Sequence, residues 1–439
     1  MLCPYFFMAQ LRRSLGLVDG LAMVVGIMVG SGIFRTPGLV AAYLGRPSLT
    51  FVAWILGGVV ALLGALCFAE LSTRHPAAGG KYVYVREAFG PRAGFVVGWG
   101  EALATYPVAI AAIAVVAGEY VERLAGLAPG SARWAGVGLA ALFTAVNLAG
   151  VASGRWVQNL ATGAKVLVLA GVAALAFAAG DGAGWRSTLP AAPTGIATLA
   201  ALALAFQAVV WTYYGYLDVA KIAEEVVDPD RTLPRVLLGG IAIVTALYLV
   251  LNAAFFQVLP IERIAGSNLV PGDVAAAVSG AGGGALVAAL ALLVVVASLN
   301  GNLFVTPRVI FGMAREGLAP AVLARVNRGG TPWAATLLVG AVVVLLAATG
   351  TFQSLLGLAV TVIIVIDGFT VLSLFRLRAR RPSAPFLVPL FPLVPLLFVG
   401  VYAALFVGTA WAAPGTVLAA MAVLGSAYGV SWMVSRPRA

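Results

Sequence analysis

The sequence predicts an all-α protein that crosses a lipid bilayer many times. Of its 439 residues, 62% are hydrophobic and only 10% are charged, whereas about 25% charged residues is usual in a soluble domain. The mean hydropathy is +1.03, and apolar runs long enough to cross a hydrocarbon core of about 30 Å recur along the chain. In lipid such runs must be helical, because no water is present to satisfy an exposed backbone.

We predict twelve transmembrane helices in a single domain, residues 1–439, with no room for a separate soluble domain. Their bounds are roughly 17–45 (with a break), 48–70, 93–122, 131–150, 156–179, 195–222 (with a break), 235–259, 284–312, 333–350, 354–375, 387–409 and 412–433. Helices 1–5 form one group at about 15–180, helices 6–10 a second at about 195–376, and helices 11–12 follow at about 387–433.

The basic residues predict the orientation of these helices. With the N-terminus inside, 20 of the 27 lysine and arginine residues fall on the cytoplasmic side and six on the outer side, while Lys165 lies within a span. We therefore expect both termini to be cytoplasmic. Most of the net charge of +11 would then face anionic lipid at the inner surface.

The residue inventory disfavours several functional classes. A nucleic-acid-binding protein needs a soluble basic face, and the sequence offers none. His75 is the single histidine, and the chain contains neither an HExxH metal motif nor a GxSxG nucleophile elbow. No cofactor-binding loop and no repeated channel filter occur. We therefore expect no enzyme, no metal site, no cofactor, no ATP-driven pump and no channel.

Two of the predicted helices are interrupted near the middle of the membrane. The first contains Gly-Ser-Gly at 30–32, about halfway along, and glycine costs about 1 kcal/mol in a helix interior. The sixth contains Gly215 among polar and aromatic residues at 212–217. Non-helical backbone at that depth persists only where it lines a cavity. The alternative explanation for the glycines at 30–32 is close helix packing.

The two interruptions occupy corresponding places in the two groups of five helices. Because five is odd, the second group enters the membrane from the opposite side, which is the arrangement of an inverted-topology repeat with a site at the midplane. Helix N-termini at such breaks can hold an anionic group, and C-terminal carbonyls can hold a cation. A small molecule that carries both charges, an amino acid, suits this site.

Four segments resemble a known family, the amino acid–polyamine–organocation (APC) superfamily. VGSGIFRTP resembles its helix 1 signature, PAAGGKYVYVREAFGPRAGFVVGW its cytoplasmic loop and entry to helix 3, and YYGYLDVAKIAEEVVDPDRTLPR its helix 6 and following loop. SLNGNLFVTPRVIFGMAREGLAP resembles helix 8 of the L-type amino acid transporter branch and its bacterial relatives. The resemblance implies a LeuT-like 5+5 inverted repeat with discontinuous helices 1 and 6, plus two C-terminal helices, in a bacterial inner (plasma) membrane.

The resemblance also implies a substrate site at the two breaks, in which backbone NH groups hold a carboxylate and carbonyls hold an ammonium. The implied residues are Ser31, Gly32 and Ile33 for the carboxylate, Ile27, Trp211, Thr212 and Tyr214 for the ammonium, Tyr216 and Leu217 beside the side-chain pocket, and Asn300 and Asn302 on helix 8, with Gly30 and Gly215 at the breaks themselves. Trp211 would close over the substrate from outside. Arg35, Asp218 and Lys221 add charges that depart from the family pattern.

Ionisable groups at membrane depth cost at least about 2.5 kcal/mol, so each needs a reason. Lys165 lies near the midplane of helix 5, where the resemblance implies a lysine in place of a sodium ion. We expect it to be the coupling residue, either as a fixed cation that braces the helix 1 break or as a proton carrier. The alternative is a structural ammonium bonded to carbonyls.

Three acids lie within other spans. Asp218 either pairs with Lys221 on one helical face or faces the cavity, where it would favour an amine substrate. We expect Glu101 and Asp367 to make polar interior contacts, Glu101 with a cytoplasmic arginine.

The leading functional prediction is a sodium-independent secondary transporter of amino acids that works by alternating access, as an exchanger or a proton-coupled symporter. The alternatives are an amine or polyamine permease of the same fold and a transporter-like nutrient sensor. Some animal relatives need a single-span partner protein, but no feature of the sequence demands one. The expected partners are therefore the small-molecule substrate and the lipid bilayer.

Overall fold

The computed structural model describes residues 15–75, 80–149, 155–189, 195–218, 226–315, 317–327 and 330–434. Most of these residues are helical. They contain no β-strand beyond an isolated parallel bridge between Leu15 and Val226. The prediction of an all-α protein is confirmed.

The helices follow one another along the chain with short connections. In order they are α1 Leu17–Met28, α2 Ser31–Leu44, α3 Pro47–Arg74, α4 Lys81–Phe89, α5 Pro91–Trp99, α6 Tyr106–Ala125, α7 Ala132–Leu148, α8 Arg155–Ala179, α9 Ile196–Tyr213, α10 Pro229–Val258, α11 Ile261–Ala265, α12 Val270–Arg315, α13 Trp333–Thr349, α14 Phe352–Arg380, α15 Leu393–Ala412 and α16 Pro414–Val434. A π-helical turn, Gly100–Thr105, joins α5 to α6 in one continuous element.

Eight of the described helical elements are long and apolar enough to cross a membrane, and α1 with α2, bent by 44° at their break, add a ninth if the pair is one span. Three shorter apolar helices, α7, α13 and the Gly163–Ala179 part of α8, lie where helices 4, 9 and 5 are predicted. The polytopic arrangement is therefore confirmed. The count of twelve depends on the three shorter helices and stays a prediction.

Large apolar side chains cover the outside of the helix bundle. Trp411 is 75% exposed, Trp134 is 68% exposed and Leu293 is 67% exposed. Water-soluble proteins rarely present many such side chains together, because each one raises the free energy of the hydrated surface. The hydrocarbon core of a bilayer removes that cost, which agrees with the predicted membrane location.

The packing of the helices brings the two interrupted elements together. α1 packs against α8 and α10, whereas α2 packs against α9, whose C-terminal end is the second interruption. α6 lies between α7, α12, α13 and α14, and α12 also contacts α2 and α8. The ends of α1, α2 and α9 therefore meet the middles of α6, α8 and α12 inside the bundle.

Candidate functional site

A cavity of about 400 Å³ lies where the two interruptions meet. Pockets of roughly 300–1,000 Å³ commonly hold small molecules. The predicted site residues that line the cavity are Ile27, Gly30, Ser31, Gly32, Lys165, Trp211, Thr212, Tyr214, Gly215, Asp218 and Asn302. The structure thus brings residues from five separate helical elements to one place.

The first interruption is two residues long. α1 ends at Met28, and α2 starts at Ser31 with Gly30 as its N-cap in a non-helical conformation. The first NH groups of a helix lack partners within the helix, and the helix dipole places partial positive charge at that end. The α2 N-terminus therefore presents an anion-binding end to the cavity, and α1 ends beside it.

The second interruption needs glycine for two reasons. Gly215 follows the end of α9 with φ of +115°, a conformation that side chains rarely adopt. A Cβ atom at Gly215 would also lie 2.6 Å from Cγ2 of Ile27. At the first interruption, a Cβ atom at Gly32 would lie 3.0 Å from Cα of Thr212. The two interruptions are therefore in direct contact, and their glycines serve packing as well as cavity formation.

Lys165 reaches the first interruption from α8. Its Nζ donates a hydrogen bond to the carbonyl oxygen of Gly26 at 3.2 Å, and the residue is 4% exposed. The ammonium also lines the cavity. A positive charge is thus fixed beside the last turn of α1, where the helix dipole is negative.

Tyr248, on α10, connects the two interruptions and was not predicted as a site residue from the sequence. Its hydroxyl lies 2.7 Å from the carbonyl oxygen of Met28 and 3.1 Å from that of Thr212. Its single proton can be donated to either of these carbonyls, which lie at the ends of α1 and α9. The sequence shows only a tyrosine in an apolar helix, and that pattern does not reveal which carbonyls its hydroxyl meets.

A buried ion cluster lies on one side of the cavity. Lys81 Nζ lies 2.5 Å from Oδ1 of Asp367 and 3.1 Å from Oε1 of Glu101, and these side chains are between 1% and 6% exposed. Lys81 also donates a hydrogen bond to the hydroxyl of Tyr214 at 2.8 Å. We expected an arginine partner for Glu101, and that expectation was wrong: the partner is Lys81, which we had counted among the cytoplasmic basic residues.

Glu101 is carried by the π-helical turn that precedes α6. Pro107, in the first turn of α6, has no NH group to donate to the carbonyl four residues before it. A wide turn ahead of a proline accommodates that lost hydrogen bond, and π-turns within α-helices are frequent at functional sites. The turn holds Glu101 on the buried side of the helix, against α14.

A second ion pair lies on the opposite side of the cavity. Arg35 Nε lies 3.2 Å from Oε2 of Glu119, and the guanidinium sits 5.5 Å from the centre of the Phe352 ring. Phe352 in turn makes an edge-to-face contact with Trp211, which lines the cavity. These four side chains form a connected layer, which we name the Arg35 layer and which lies beside the cavity.

Five of the residues predicted for the site do not line the cavity: Ile33, Glu101, Tyr216, Leu217 and Asn300. Tyr216 lines a smaller neighbouring cavity with Tyr402, and the amide oxygen of Asn300 accepts a hydrogen bond from Asn147 on α7. Asn300 and Asn302 are two helical residues apart, about 200° around the axis, so they face different sides. Lys221 lies outside the described residues.

Comparison with known proteins identifies the family. The sequence matches the amino acid permease family over residues 15–432. The chain belongs to this family. The APC superfamily resemblance of its motifs is thereby confirmed, and the protein is an integral membrane protein with several apolar spans.

Individual relatives of this amino acid permease cover most of its length. It is 31% identical to the serine/threonine exchanger SteT of Bacillus subtilis (strain 168) over 88% of its own chain and 89% of that protein. It is 31% identical to the mouse Asc-type amino acid transporter 1, over 90% and 76% of the two chains. It is also 31% identical to the mouse b(0,+)-type amino acid transporter 1, over 88% and 81%.

The described residues contain no group of three or more histidine, cysteine and acidic side chains arranged to hold a metal ion. The polar groups of the cavity are instead a lysine, an aspartate, hydroxyls, an amide and the backbone at the two interruptions. Such a set can bind a small zwitterion or a small cation.

Proposed function

We propose that this permease is a secondary active transporter that moves amino acids across the membrane by alternating access. The observation that carries the proposal is the cavity between the N-terminus of α2 and the C-terminal ends of α1 and α9. Opposite partial charges face one another across that space. The names of the relatives, which include exchangers and transporters of amino acids, agree with this assignment.

The substrate's two charges would be held by the two interruptions. Its carboxylate would accept hydrogen bonds from the backbone NH groups at Ser31 and Gly32 and from the hydroxyl of Ser31. Its ammonium would face the carbonyls near Ile27 and at the end of α9, and Trp211 would cover it from the side of the Arg35 layer. Asn302, on α12, lies in the cavity wall where the substrate's side chain would reach.

The proposed cycle needs two closures, one on each side of this cavity. Ile113 lines the cavity, and Glu119 lies six residues further along α6, about 9 Å at 1.5 Å per residue. Glu101 lies four residues before Thr105, which also lines the cavity, on the opposite side. We assign the Arg35 layer to the external closure and the Lys81 cluster to the cytoplasmic closure, with twelve spans, a 5+5 inverted repeat and both termini in the cytoplasm.

Lys165 supports sodium independence. Its ammonium already occupies the position beside the Gly26 carbonyl, at the end of α1, where a bound cation would otherwise offset the negative end of the helix. We therefore propose amino acid exchange or proton symport in a bacterial inner membrane, without an obligate protein partner. The fixed-cation role accounts for the hydrogen bond to Gly26 directly, and a proton-carrier role requires that bond to break during the cycle.

A competition panel in proteoliposomes tests the proposal. Uptake of radiolabelled L-serine, L-alanine and L-leucine is measured with and without internal amino acid and with and without an inward proton gradient. Each measurement is repeated with sodium replaced by choline. We expect saturable uptake of at least one of them, stimulated by internal substrate or by the proton gradient and unchanged by choline. Binding without any flux would support a sensor. The absence of both binding and flux would refute the proposal.

One observation favours a second candidate, an amine or polyamine permease: Asp218 lines the cavity. A carboxylate there would attract a substrate with a second ammonium or with no carboxylate. Agmatine and putrescine added to the panel distinguish the two. If the amines compete better than the amino acids, and Asp218→Asn reverses that order, the second candidate replaces the first.

A further inference from the structure

Two arginines of α14 reach the corner at which α4 turns into α5. The guanidinium of Arg376 donates a hydrogen bond to the carbonyl oxygen of Ala88 at 3.4 Å, and that of Arg380 donates one to the carbonyl oxygen of Glu87 at 2.7 Å. The two carbonyls belong to consecutive residues in the last turn of α4. The two guanidiniums therefore lie side by side.

A third arginine, Arg92, flanks the same corner. It lies in the first turn of α5, and only Gly90 separates that helix from α4. Its guanidinium carbon lies 3.9 Å from the centre of the Trp432 ring, near the end of α16. Because α14 packs against α4 and α16, and α16 packs against α5, the start of α5 and the ends of α4, α14 and α16 meet at one end of the bundle.

Aromatic rings lie directly beside these guanidiniums. Phe89 stacks on Phe369 with ring centres 4.7 Å apart, and the Arg376 guanidinium carbon lies 5.1 Å from the centre of the Phe89 ring. Phe369 and Trp432 are both exposed on the surface of the bundle. The corner therefore combines positive groups with an apolar surface.

The length of α14 places this corner at the boundary of the hydrocarbon core. Its 29 residues span about 43 Å at 1.5 Å per residue, whereas the core is about 30 Å thick. Arg380 is the last residue of the helix and Arg376 lies about one turn before it, so both reach the headgroup layer. Phe369 lies about 16 Å before Arg380 along the axis, within the hydrocarbon.

Positive charge exceeds negative charge at the corner. Among the described residues, no ion pair involves Arg92, Arg376 or Arg380, and Glu87 pairs with Arg86 at 3.5 Å. The C-terminal end of α4 supplies only about half a negative charge. Capping α4 explains one hydrogen bond from each of two guanidiniums, but a guanidinium carries five N–H donors. A bound anion would use these donors and balance the charge.

We propose that Arg92, Arg376 and Arg380 form a binding site for the headgroup of an anionic phospholipid, whose acyl chains lie on Phe369 and Trp432. The inference goes beyond transport and does not depend on it. Guanidiniums bind phosphate through paired N–H···O hydrogen bonds. The aromatic surface begins at the depth where the acyl chains of such a lipid begin, and a free phosphate ion would leave that surface unused.

Native mass spectrometry of the purified full-length protein in detergent tests the site by measuring its affinity for phosphatidylglycerol and phosphatidylcholine. We expect wild type to bind phosphatidylglycerol more tightly. Each arginine near an anionic lipid is worth about fivefold in affinity, so Arg376→Gln with Arg380→Gln should weaken phosphatidylglycerol binding about 30-fold and leave phosphatidylcholine binding unchanged. The control, Arg133→Gln with Arg186→Gln, removes two exposed arginines from other helices and should bind as wild type does.

A second measurement separates lost lipid binding from misfolding, since Arg376 and Arg380 also cap α4. Phosphatidylglycerol added to delipidated protein should raise the thermal unfolding midpoint of wild type and of the control, but not that of the double variant. If the double variant does not fold, Arg92→Gln decides, because Arg92 contacts Trp432 and should cost about fivefold in affinity when removed.

Three results would overturn the inference. They are equal phosphatidylglycerol affinity in wild type, the double variant and Arg92→Gln; equal affinity of wild type for the two lipids; and stabilisation by inorganic phosphate equal to that by phosphatidylglycerol. The last result would show a site for a free anion rather than for a lipid.

Discussion

Removal of either member of the Arg35–Glu119 pair should open the outer side of the cavity. The two side chains are 7% and 17% exposed and 3.2 Å apart, so their gross Coulomb attraction is about 5 kcal/mol at an effective dielectric constant of about 20. Desolvation offsets much of it, and neighbouring charged residues usually show coupling of about 0.5–3 kcal/mol. A value of about 1.4 kcal/mol would raise the open population about tenfold.

The assay measures access to the cavity from outside the cell. A reporter cysteine replaces Ala109, which lines the cavity, in a background with Cys3→Ser and Cys67→Ser. The labelling rate with a membrane-impermeant maleimide is then compared for the parent, Arg35→Gln, Glu119→Gln and the double variant. We expect each single variant to react about tenfold faster than the parent, and the double variant to react no faster than the singles.

The control is Arg123→Gln, which breaks a more exposed ion pair with Asp273 at 2.7 Å. Exposed ion pairs usually contribute less than about 1 kcal/mol to stability, so the labelling rate of this variant should differ little from that of the parent. Equal labelling of the parent and the Arg35 and Glu119 variants would refute the assignment of this pair to an external closure. Strictly additive effects in the double variant would show that the two residues act independently.

Three further predictions concern the interruptions and the helix ends. Gly215→Ala should abolish L-serine uptake while gel filtration still shows folded protein, because φ of +115° and the contact with Ile27 exclude a side chain; normal uptake would contradict this. Tyr248→Phe should destabilise the protein by about 1–3 kcal/mol, because buried carbonyls lose their donor. An unchanged thermal unfolding midpoint would be the contrary result. Glu70→Ala should cost about 3–5 kcal/mol, since the buried Glu70 carboxylate pairs with Arg74 and Arg378 and accepts the NH of Val388, whereas Glu70→Gln should cost less. The same unfolding assay compares the two variants, and equal midpoints would contradict the charge argument.

The parts of the site that could be predicted from sequence are those with a local signal. Gly30, Gly32 and Gly215 stand out because glycine within an apolar helix has a local conformational cost. Lys165 stands out because a charge in the middle of such a helix needs a partner. For the glycines and for Lys165, the residue type and its position along one helix were sufficient to predict a place at the cavity, which these residues line.

The contacts that were missed join residues far apart in the chain. Lys81 follows a loop and resembles a cytoplasmic basic residue, yet it bonds Tyr214, 133 residues later. The hydroxyl of Tyr248 reaches Met28, 220 residues earlier. No local pattern encodes such pairs, because they depend on which helices become neighbours. Asn300 and Asn302 face different sides of one helix, so the helical period allows only one of them to line the cavity, but it does not say which.

One continuous helical element connects both ends of the proposed pathway. Glu101 and Glu119 are 18 positions apart along the continuous element formed by the π-turn and α6, about 27 Å at 1.5 Å per residue, which is close to the thickness of a hydrocarbon core. A helix cannot stretch, so a tilt that separates Glu119 from Arg35 tends to press the opposite end together. In the proposed alternating-access cycle, the stabilities of the two ion clusters would then oppose each other, which would keep the free-energy gap between outward- and inward-facing states small. A substitution that strengthens one cluster alone should therefore trap the molecule in one of its two conformations.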